Sequence, residues 1–329
     1  RDRSPSRGLG DVYKRQMNKI IFGIDVGGTT CKCGTFSKEG ELLRKEEIPT
    51  RKDEGGSLIL PDISEYIKGV LADMNMTTED VAGIGMGLPG ACLEDGTVNK
   101  CINLGWGVFN AAKALSELTG IPVKIGNDAN MAAFGEFWVG GGSEYNSMVM
   151  VTIGTGVGGG VIIDGKPLYG FNGAAGEIGH LPLVEGETES CNCGKKGCLE
   201  QVASATGIVR TANRMLAESD MPSSLRSVPY ISAKVIFDEA KGGDALAIQV
   251  TEYVCRYLGK GLACAAGMVD PEVFVIGGGV SAAGEYFINL IDKYYKECVF
   301  HASRQTKIVK AALGNDAGMY GAAKLILGN

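Results

Sequence analysis

The sequence predicts an α/β protein made of two related domains facing each other across a cleft, and three observations carry that prediction. Strand-type runs alternate with stretches of helical periodicity, the pattern of layered α/β folds. The segment GIDVGGTTCKCG at 23–34 is echoed by TIGTGVGGGVII at 152–163, each a strand, a polar residue, a glycine loop and a second strand. Glycine supplies 50 of 329 residues, about twice the usual share, with no Gly-X-Y period, so the excess points to tight turns and close backbone approach.

The elements follow in order. Ile20–Ile24 reads as an apolar strand, followed by a glycine turn, a second strand Cys31–Phe36 and a charged third strand Glu41–Ile48. Pro61 opens a helix whose Ile63, Ile67, Val70 and Leu71 recur at i, i+4, i+7 and i+8. Ala82–Met86 is a buried strand. Asn110 caps a helix that buries Leu115 and Leu118 and ends at Gly120. Val123–Ile125 is a further short strand. The second half opens with a strand at Ser147–Ile153, a glycine turn at Thr155–Gly160 and a return strand at Val161–Ile163. A hairpin turn at Asp164–Gly165 and a third strand at Lys166–Tyr169 complete the echo. A long helix over 244–268, an apolar strand Val273–Ile276, a strand Ile308–Leu313 and a last helix Ala317–Leu327 follow.

Composition bounds the function. Hydrophobic residues make up 45% and charged residues 21%, enough for a real core, and the length suits two domains at roughly 150 residues each. The expected division is a non-native tail at 1–16, an N-terminal domain at 17–126 onto which helix 316–328 packs back, and a C-terminal domain at 127–315. The tail RDRSPSRGLGDVYKRQ holds five basic residues against two acidic ones, and its DVYKRQ resembles a translated sequencing-adapter end, so it is set aside. Net charge is −6 with no basic cluster to track a phosphate backbone, so nucleic acid is not an expected partner. The longest apolar run, Met148 to Ile163, is too short and glycine-rich to span a bilayer, so no membrane is expected. No leader pattern starts at Arg1 or Met17, and the expected location is cytoplasmic.

Three glycine loops invite an anionic ligand. Asp25-Val-Gly27-Gly28-Thr29-Thr30 follows one strand and enters another, unlike the strand–loop–helix of a P-loop. Such a loop is either a plain turn or a nest of backbone N–H groups for phosphate oxygens, with two hydroxyls as extra donors. Asp25 is placed to position a Mg²⁺ bridging those oxygens. Gly154-Thr155-Gly156 offers the same equipment, and Gly278-Gly279 supplies a third loop. Asn127-Asp128-Ala129-Asn130 leaves a strand for a helix, so Asp128 is either a helix cap or a carboxylate presented from a rigid strand end.

The ten cysteines are not read as disulfides in a large chain without a leader. Cys31, Cys33, Cys92, Cys101, Cys255, Cys264 and Cys298 have apolar or small neighbours and are expected in the core. The other three form Cys191-Asn-Cys193-Gly-Lys-Lys-Gly-Cys198, and one of only two histidines, His180, lies eleven residues upstream. Three thiolates and an imidazole make a closed tetrahedral zinc site, the alternative being reduced surface cysteines. His301 has no ligand-type neighbours and is read as ordinary.

On these loops, the chain from about Ile20 to its last helix resembles the actin-like (ribonuclease H-like), hexokinase-type ATPase superfamily. More narrowly it resembles the ROK family of bacterial sugar kinases, glucokinases among them. The resemblance implies ATP phosphates on Asp25, Gly27, Gly28, Thr29, Thr30, Gly154, Thr155 and Gly156, and adenosine beside Gly278 and Gly279. It makes Asp128 the general base. It makes Gly90, Asn103, Asn127, Asp128, Glu177, His180 and Glu200 sugar ligands, with His180 also on structural Zn²⁺ through its other nitrogen. Lys32 is a further candidate at the phosphates; the first loop reads GGTT where many relatives have GGTK. Trp106 is either sugar-side or core. The implied activity is ATP- and Mg²⁺-dependent phosphorylation of the 6-hydroxyl of glucose by a homodimer or homotetramer that closes on its sugar. Another ROK kinase, for N-acetylmannosamine or fructose, is the nearest alternative. A sugar-responsive repressor and an actin-like ATPase without sugar chemistry are more distant ones.

Overall fold

The computed structural model describes residues 19–328; the suspected read-through tail at 1–16 lies outside them. The chain forms two compact units. The first contains residues 19–138, 169–174 and 316–328, and the second 139–168 and 175–315. Among the described residues no helix is long and apolar enough to cross a membrane.

The first unit holds β1 (Ile20–Val26), β2 (Thr30–Ser37), β3 (Leu42–Pro49), α1 (Ile59–Asp73), β4 (Val81–Leu88) and the short strands β5 (Ala91–Cys92), β6 (Thr97–Asn99) and β7 (Phe109–Asn110). It continues through α2 (Ala111–Thr119), β8 (Val123–Asn127) and α3 (Asp128–Val139) to the C-terminal helix Ala317–Leu327. Its main sheet runs β3-β2-β1-β4-β8, with antiparallel pairing among the first three strands and parallel pairing from β1 through β4 to β8. One face buries Phe22, Ile24, Ile84 and Met86 against Ile63, Ile67 and Leu115 of α1 and α2. Each such side chain contributes about 1.5–3 kcal/mol of transfer free energy.

The other face carries the C-terminal helix, and here glycine is used for packing. A Cβ on Gly85 of β4 would stand 1.8 Å from the Ala322 carbonyl oxygen, and one on Gly321 would stand 1.7 Å from that of Met131. The helix backbone therefore lies directly on the sheet and on α3. That contact takes α3 into the first unit as far as Trp138, past the expected boundary at 126.

The second unit contains β9 (Met148–Ile153), β10 (Val157–Ile163), β11 (Lys166–Pro167), α4 (Ala205–Glu218), α5 (Ala233–Lys241), α6 (Ala245–Val269), β12 (Val273–Gly277), α7 (Glu285–Cys298) and β13 (Lys307–Lys310). Its sheet runs β11-β10-β9-β12-β13 with the same sequence of antiparallel and parallel pairings as the first. The echo between 23–34 and 152–163 is thus a repeat of topology, β1 matching β9 and β2 matching β10.

Several expectations need correction. The helix expected to open at Pro61 starts two residues earlier, at Ile59. Leu118 is exposed: the helix capped by Asn110 buries the stripe of Ala111, Ala112, Leu115 and Thr119, and Leu118 stands at the edge of that stripe. Val157–Gly160 belong to β10, paired with β9, so the glycine turn shrinks to 154–156. The third strand of that hairpin pairs only at Lys166–Pro167, and the strand expected to reach Leu313 ends at Lys310. Of the seven cysteines expected in the core, Cys264 and Cys298 are exposed on the outer faces of α6 and α7. Trp106 is core: it is buried and its Nε1 donates to the Gly56 carbonyl at 3.0 Å.

Candidate active site

In the first unit the candidate residues gather at the carboxyl edge of the parallel strands, the usual ligand edge of an α/β sheet. Asp25 pairs in register with Gly87 of β4 and Lys32 of β2, and Leu88 pairs with Asn127 of β8. Burial and the neighbouring Asp128 carboxylate push Asp25 up to about 6, Asp316 adds to this and Lys32 opposes it. The first residues of the C-terminal helix press on the same group, since a Cβ on Gly318 would stand 2.7 Å from the Asp25 carboxyl carbon.

The loop after Asp25 is a tight turn closed by the Gly27 N–H donating to the Thr30 carbonyl at 3.0 Å. Thr50 pins it from β3's end: its hydroxyl donates to the Gly27 carbonyl at 2.8 Å and its N–H to the Thr29 carbonyl at 2.9 Å. Thr29 is exposed, and no atom lies within 4 Å of a Cβ built on Gly28.

At the start of α3 the two open readings of Asp128 are separated by its neighbour. The Asn127 amide oxygen accepts from the N–H groups of Ala129 and Asn130 at 3.0 and 3.2 Å, which is the capping pattern. The Asn127 amide nitrogen donates to the Gly90 carbonyl at 3.1 Å, tying this helix start to the loop after β4. Asp128 is half-buried, and its Oδ1 accepts from the Ala129 N–H at 2.8 Å. Asn103 is exposed on a single 3₁₀ turn, Ile102–Leu104, directly after Cys101, whose thiol contacts the Pro89 carbonyl. Asp25, Gly90, Asn127 and Asp128 are therefore one group, and Asn103 lies on the loop beside it.

In the second unit the two glycine loops meet at the equivalent edge. A Cβ on Gly278, whose φ is +80°, would fall 2.4 Å from the Ile153 carbonyl oxygen, so only glycine fits where β12 leaves the sheet beside the 154–156 loop. Gly279 begins the turn that follows. Thr155 is exposed at the loop tip, and its carbonyl accepts from the Thr206 hydroxyl at 3.1 Å. A cavity of about 580 Å³ opens beside Thr155, lined by Thr206, Val209, Asn213, Tyr230 and Ile231.

The cysteine loop closes on itself as the spacing suggested. His180, Cys191, Cys193 and Cys198 bring their ligand atoms within 4.8 Å of one another. Cys193 Sγ and Cys198 Sγ are 3.6 Å apart, and Cys191 Sγ is 3.8 Å from His180 Nδ1. Tetrahedral zinc with Zn–S near 2.3 Å spaces its sulfurs by about 3.8 Å, so the donor set fits that metal in kind and in span. Burial pushes Cys191 up and Cys198 up to about 12, whereas the backbone N–H of Lys195 pulls Cys193 down.

The other His180 nitrogen, Nε2, is 3.9 Å from the Glu177 carboxylate, so the ring turns one nitrogen to the thiols and the other to an exposed acid. Glu200 is half-buried: its Oε2 accepts from the Val157 N–H at 2.9 Å and its Oε1 is 3.6 Å from Cys191 Sγ. Thr50, Gln201 and Arg210, which turn out to shape these loops, were not singled out by sequence reasoning, because their contacts come from chain segments far away in sequence or from an amide with no motif of its own.

The chain is 40% identical to a glucokinase of Halalkalibacterium halodurans over 314 residues, 94% of this chain and 95% of that one. A ROK family glucokinase from Streptomyces griseus, solved in complex with glucose and AMPPNP, shares 32% identity with a TM-score of 0.73, covering 93% of this chain and 98% of the other. A ROK hexokinase from Thermus thermophilus shares 31% identity with a TM-score of 0.78, covering 92% and 96%. The α/β architecture is thus the actin-like ATPase fold of these kinases. The ROK family model matches residues 21–329, nearly every residue the structure describes, and the chain accordingly belongs to the ROK family.

Proposed function

We propose that this ROK protein is a glucokinase, transferring the γ-phosphoryl group of ATP to the 6-hydroxyl of glucose with Asp128 as general base. The observation that carries the reading is the division of labour at the start of α3: Asn127 caps the helix, so Asp128 is not the capping residue. The glucokinase relatives named above support the substrate.

Phosphoryl transfer asks the protein mainly for alignment and charge stabilisation. The sugar O6 forms a bond to γ-phosphorus as the bond from phosphorus to the β-phosphate oxygen breaks, ADP leaves, and the O6 proton passes to the Asp128 carboxylate. The backbone nests at Gly27–Thr30 and Gly154–Gly156 take the phosphate oxygens, with the nucleoside beside Gly278 and Gly279. Asp25 would hold a Mg²⁺ arriving with ATP, which would neutralise phosphate charge; the crowding of Asp25, Asp128 and Asp316 suits a cation there.

Gly90, Asn103, Asn127, Glu177, His180 and Glu200 satisfy the sugar hydroxyls. His180, Cys191, Cys193 and Cys198 would hold a zinc ion, which would fix the loop that carries the last three of them. A cytoplasmic homodimer or homotetramer completes the proposal. The test is ADP release with ATP and Mg²⁺ and glucose, N-acetylmannosamine, fructose or no sugar. Glucose-dependent turnover well above the rest supports the proposal. Preference for another of these sugars changes the substrate name, and sugar-independent hydrolysis overturns the kinase reading.

A further inference from the structure

The four metal-site residues do not explain why their loop holds its shape. From 187 to 198 the chain is mostly exposed, Cys193 included, and it has no strand or helix of its own. Its internal hydrogen bonds are those of small turns, such as the Cys191 N–H to the Lys195 carbonyl at 2.7 Å and the Gly194 N–H to the Cys191 carbonyl at 2.8 Å. Such turns hold the tip, and at the base the Val184 N–H donates to the Gly197 carbonyl and the Leu199 N–H to the Leu181 carbonyl, each at 2.9 Å, but among the described residues no backbone bond ties 187–190 to the limb containing Cys198.

One side chain makes that tie. The Gln201 amide oxygen accepts from the N–H groups of both Gly197 and Cys198, at 2.9 and 3.1 Å. Its amide nitrogen donates to the Glu189 carbonyl at 3.0 Å, on the opposite limb. The Cys198 side chain is fully buried, so without this acceptor its N–H would lose a partner in a place water reaches poorly.

Gln201 is held in turn from α4. The Arg210 guanidinium donates to the Gln201 main-chain carbonyl at 2.9 Å and to Glu189 Oε2 at 2.8 Å, and it pairs with Glu187, whose side chain is only 9% exposed. Planar donors spread over three acceptors on two chain segments form a brace that a point charge does not reproduce. With two carboxylates and a carbonyl on it, this arginine is committed to the loop.

We propose that Gln201 and Arg210 are positioning residues for the metal loop: Gln201 clips its two limbs together and Arg210 fixes Gln201 and the entering limb to α4. The proposal rests on the reading of the cysteine–histidine cluster as a zinc site. It predicts that the rate at which the protein surrenders zinc is set by two residues that do not touch the metal.

The experiment uses the full chain, purified with zinc quantified, and follows transfer of zinc to a chromogenic chelator in wild type, Gln201→Met, Gln201→Glu, Arg210→Lys and the Gln201→Met/Arg210→Lys pair. Release from Gln201→Met is expected to be about 10- to 100-fold faster, the usual scale for lost partners of a metal ligand. Gln201→Glu keeps the acceptor for Gly197 and Cys198 but loses the donor to Glu189, so its rate should fall between the two. Arg210→Lys should also release faster, and the pair should show less than the product of the single effects, as members of one network do. Wild-type release rates in both Gln201→Met and Arg210→Lys overturn the proposal; if Gln201→Met does not fold, Arg210→Lys alone decides it. Wild-type protein that binds no zinc overturns the metal reading itself, an outcome distinct from failure of the brace.

Discussion

The Glu200 carboxylate occupies space that exists only because residue 156 has no side chain: a Cβ on Gly156 would stand 2.3 Å from Glu200 Oε2. A proposed sugar ligand and a proposed phosphate loop are thereby in direct contact, and the same oxygen accepts from the Val157 N–H. The obstructing atom is the far end of a flexible side chain, so Gly156→Ala should fold and shift Glu200. The expected result is a melting temperature close to wild type with a raised KM for glucose. An unchanged KM would separate Glu200 from sugar binding.

Asp128→Asn keeps size and shape at the first residue of α3, and the cap on Asn127 is untouched. Glucose binding measured by calorimetry should therefore survive while turnover falls about 10²–10⁴-fold, the reach of general-base catalysis. Near-normal turnover would remove Asp128 from the role.

Gly321→Ala tests the packing of the C-terminal helix. The added methyl would meet the Met131 carbonyl oxygen at 1.7 Å, and backbone on α3 cannot step aside as a side chain can. Overpacking of this kind costs about 1–3 kcal/mol or more. A clear drop in thermal midpoint is expected, and Gly69→Ala, where no atom lies within 4 Å of the new methyl, is the control on an open helix surface.

Asp25 illustrates a cost of function in the unliganded protein. Its folded-state value is raised from the ordinary 3.8 to about 6, so the native state holds this proton more tightly than the unfolded chain does. The stability that this tighter proton binding supplies is fully present below 3.8 and is lost as pH rises through about 6. Asp25→Asn cannot ionise, so it should melt higher than wild type at pH 7 to 8, with the advantage gone near pH 4, while kinase activity is lost. A melting difference independent of pH would mean that the carboxylate is not strained by burial and Asp128.

What the sequence made legible was whatever had a local signature. The strand–glycine–strand echo located both sheets, and the spacing of Cys191, Cys193 and Cys198 with His180 anticipated a cluster that closes within 4.8 Å. What it hid depends on contacts between distant segments. Gly85 and Gly321 carry no motif and drew no reading, yet they serve helix packing, because the carbonyls they admit belong to Ala322 and Met131. Asn127 read as a sugar ligand within its motif, and its capping of α3 and its bond to Gly90 were not foreseen. Leu118 fits the apolar rhythm of α2 and still faces solvent, since a nine-residue helix has room for only one buried stripe.

Treatment with a strong chelator should strip zinc from the Cys₃His loop and free the three thiols to react with a thiol reagent, since the metal holds its ligands as thiolates only while bound. His180 would lose its fixed orientation between Cys191 and Glu177, so sugar affinity should fall more than nucleotide affinity, whose proposed loops rest on sheet edges rather than on the metal. Readdition of Zn²⁺ under reducing conditions should restore both thiol protection and the glucose KM. Full retention of glucose affinity in zinc-free protein would show that the loop holds Glu177, His180 and Glu200 in place by its hydrogen bonds alone.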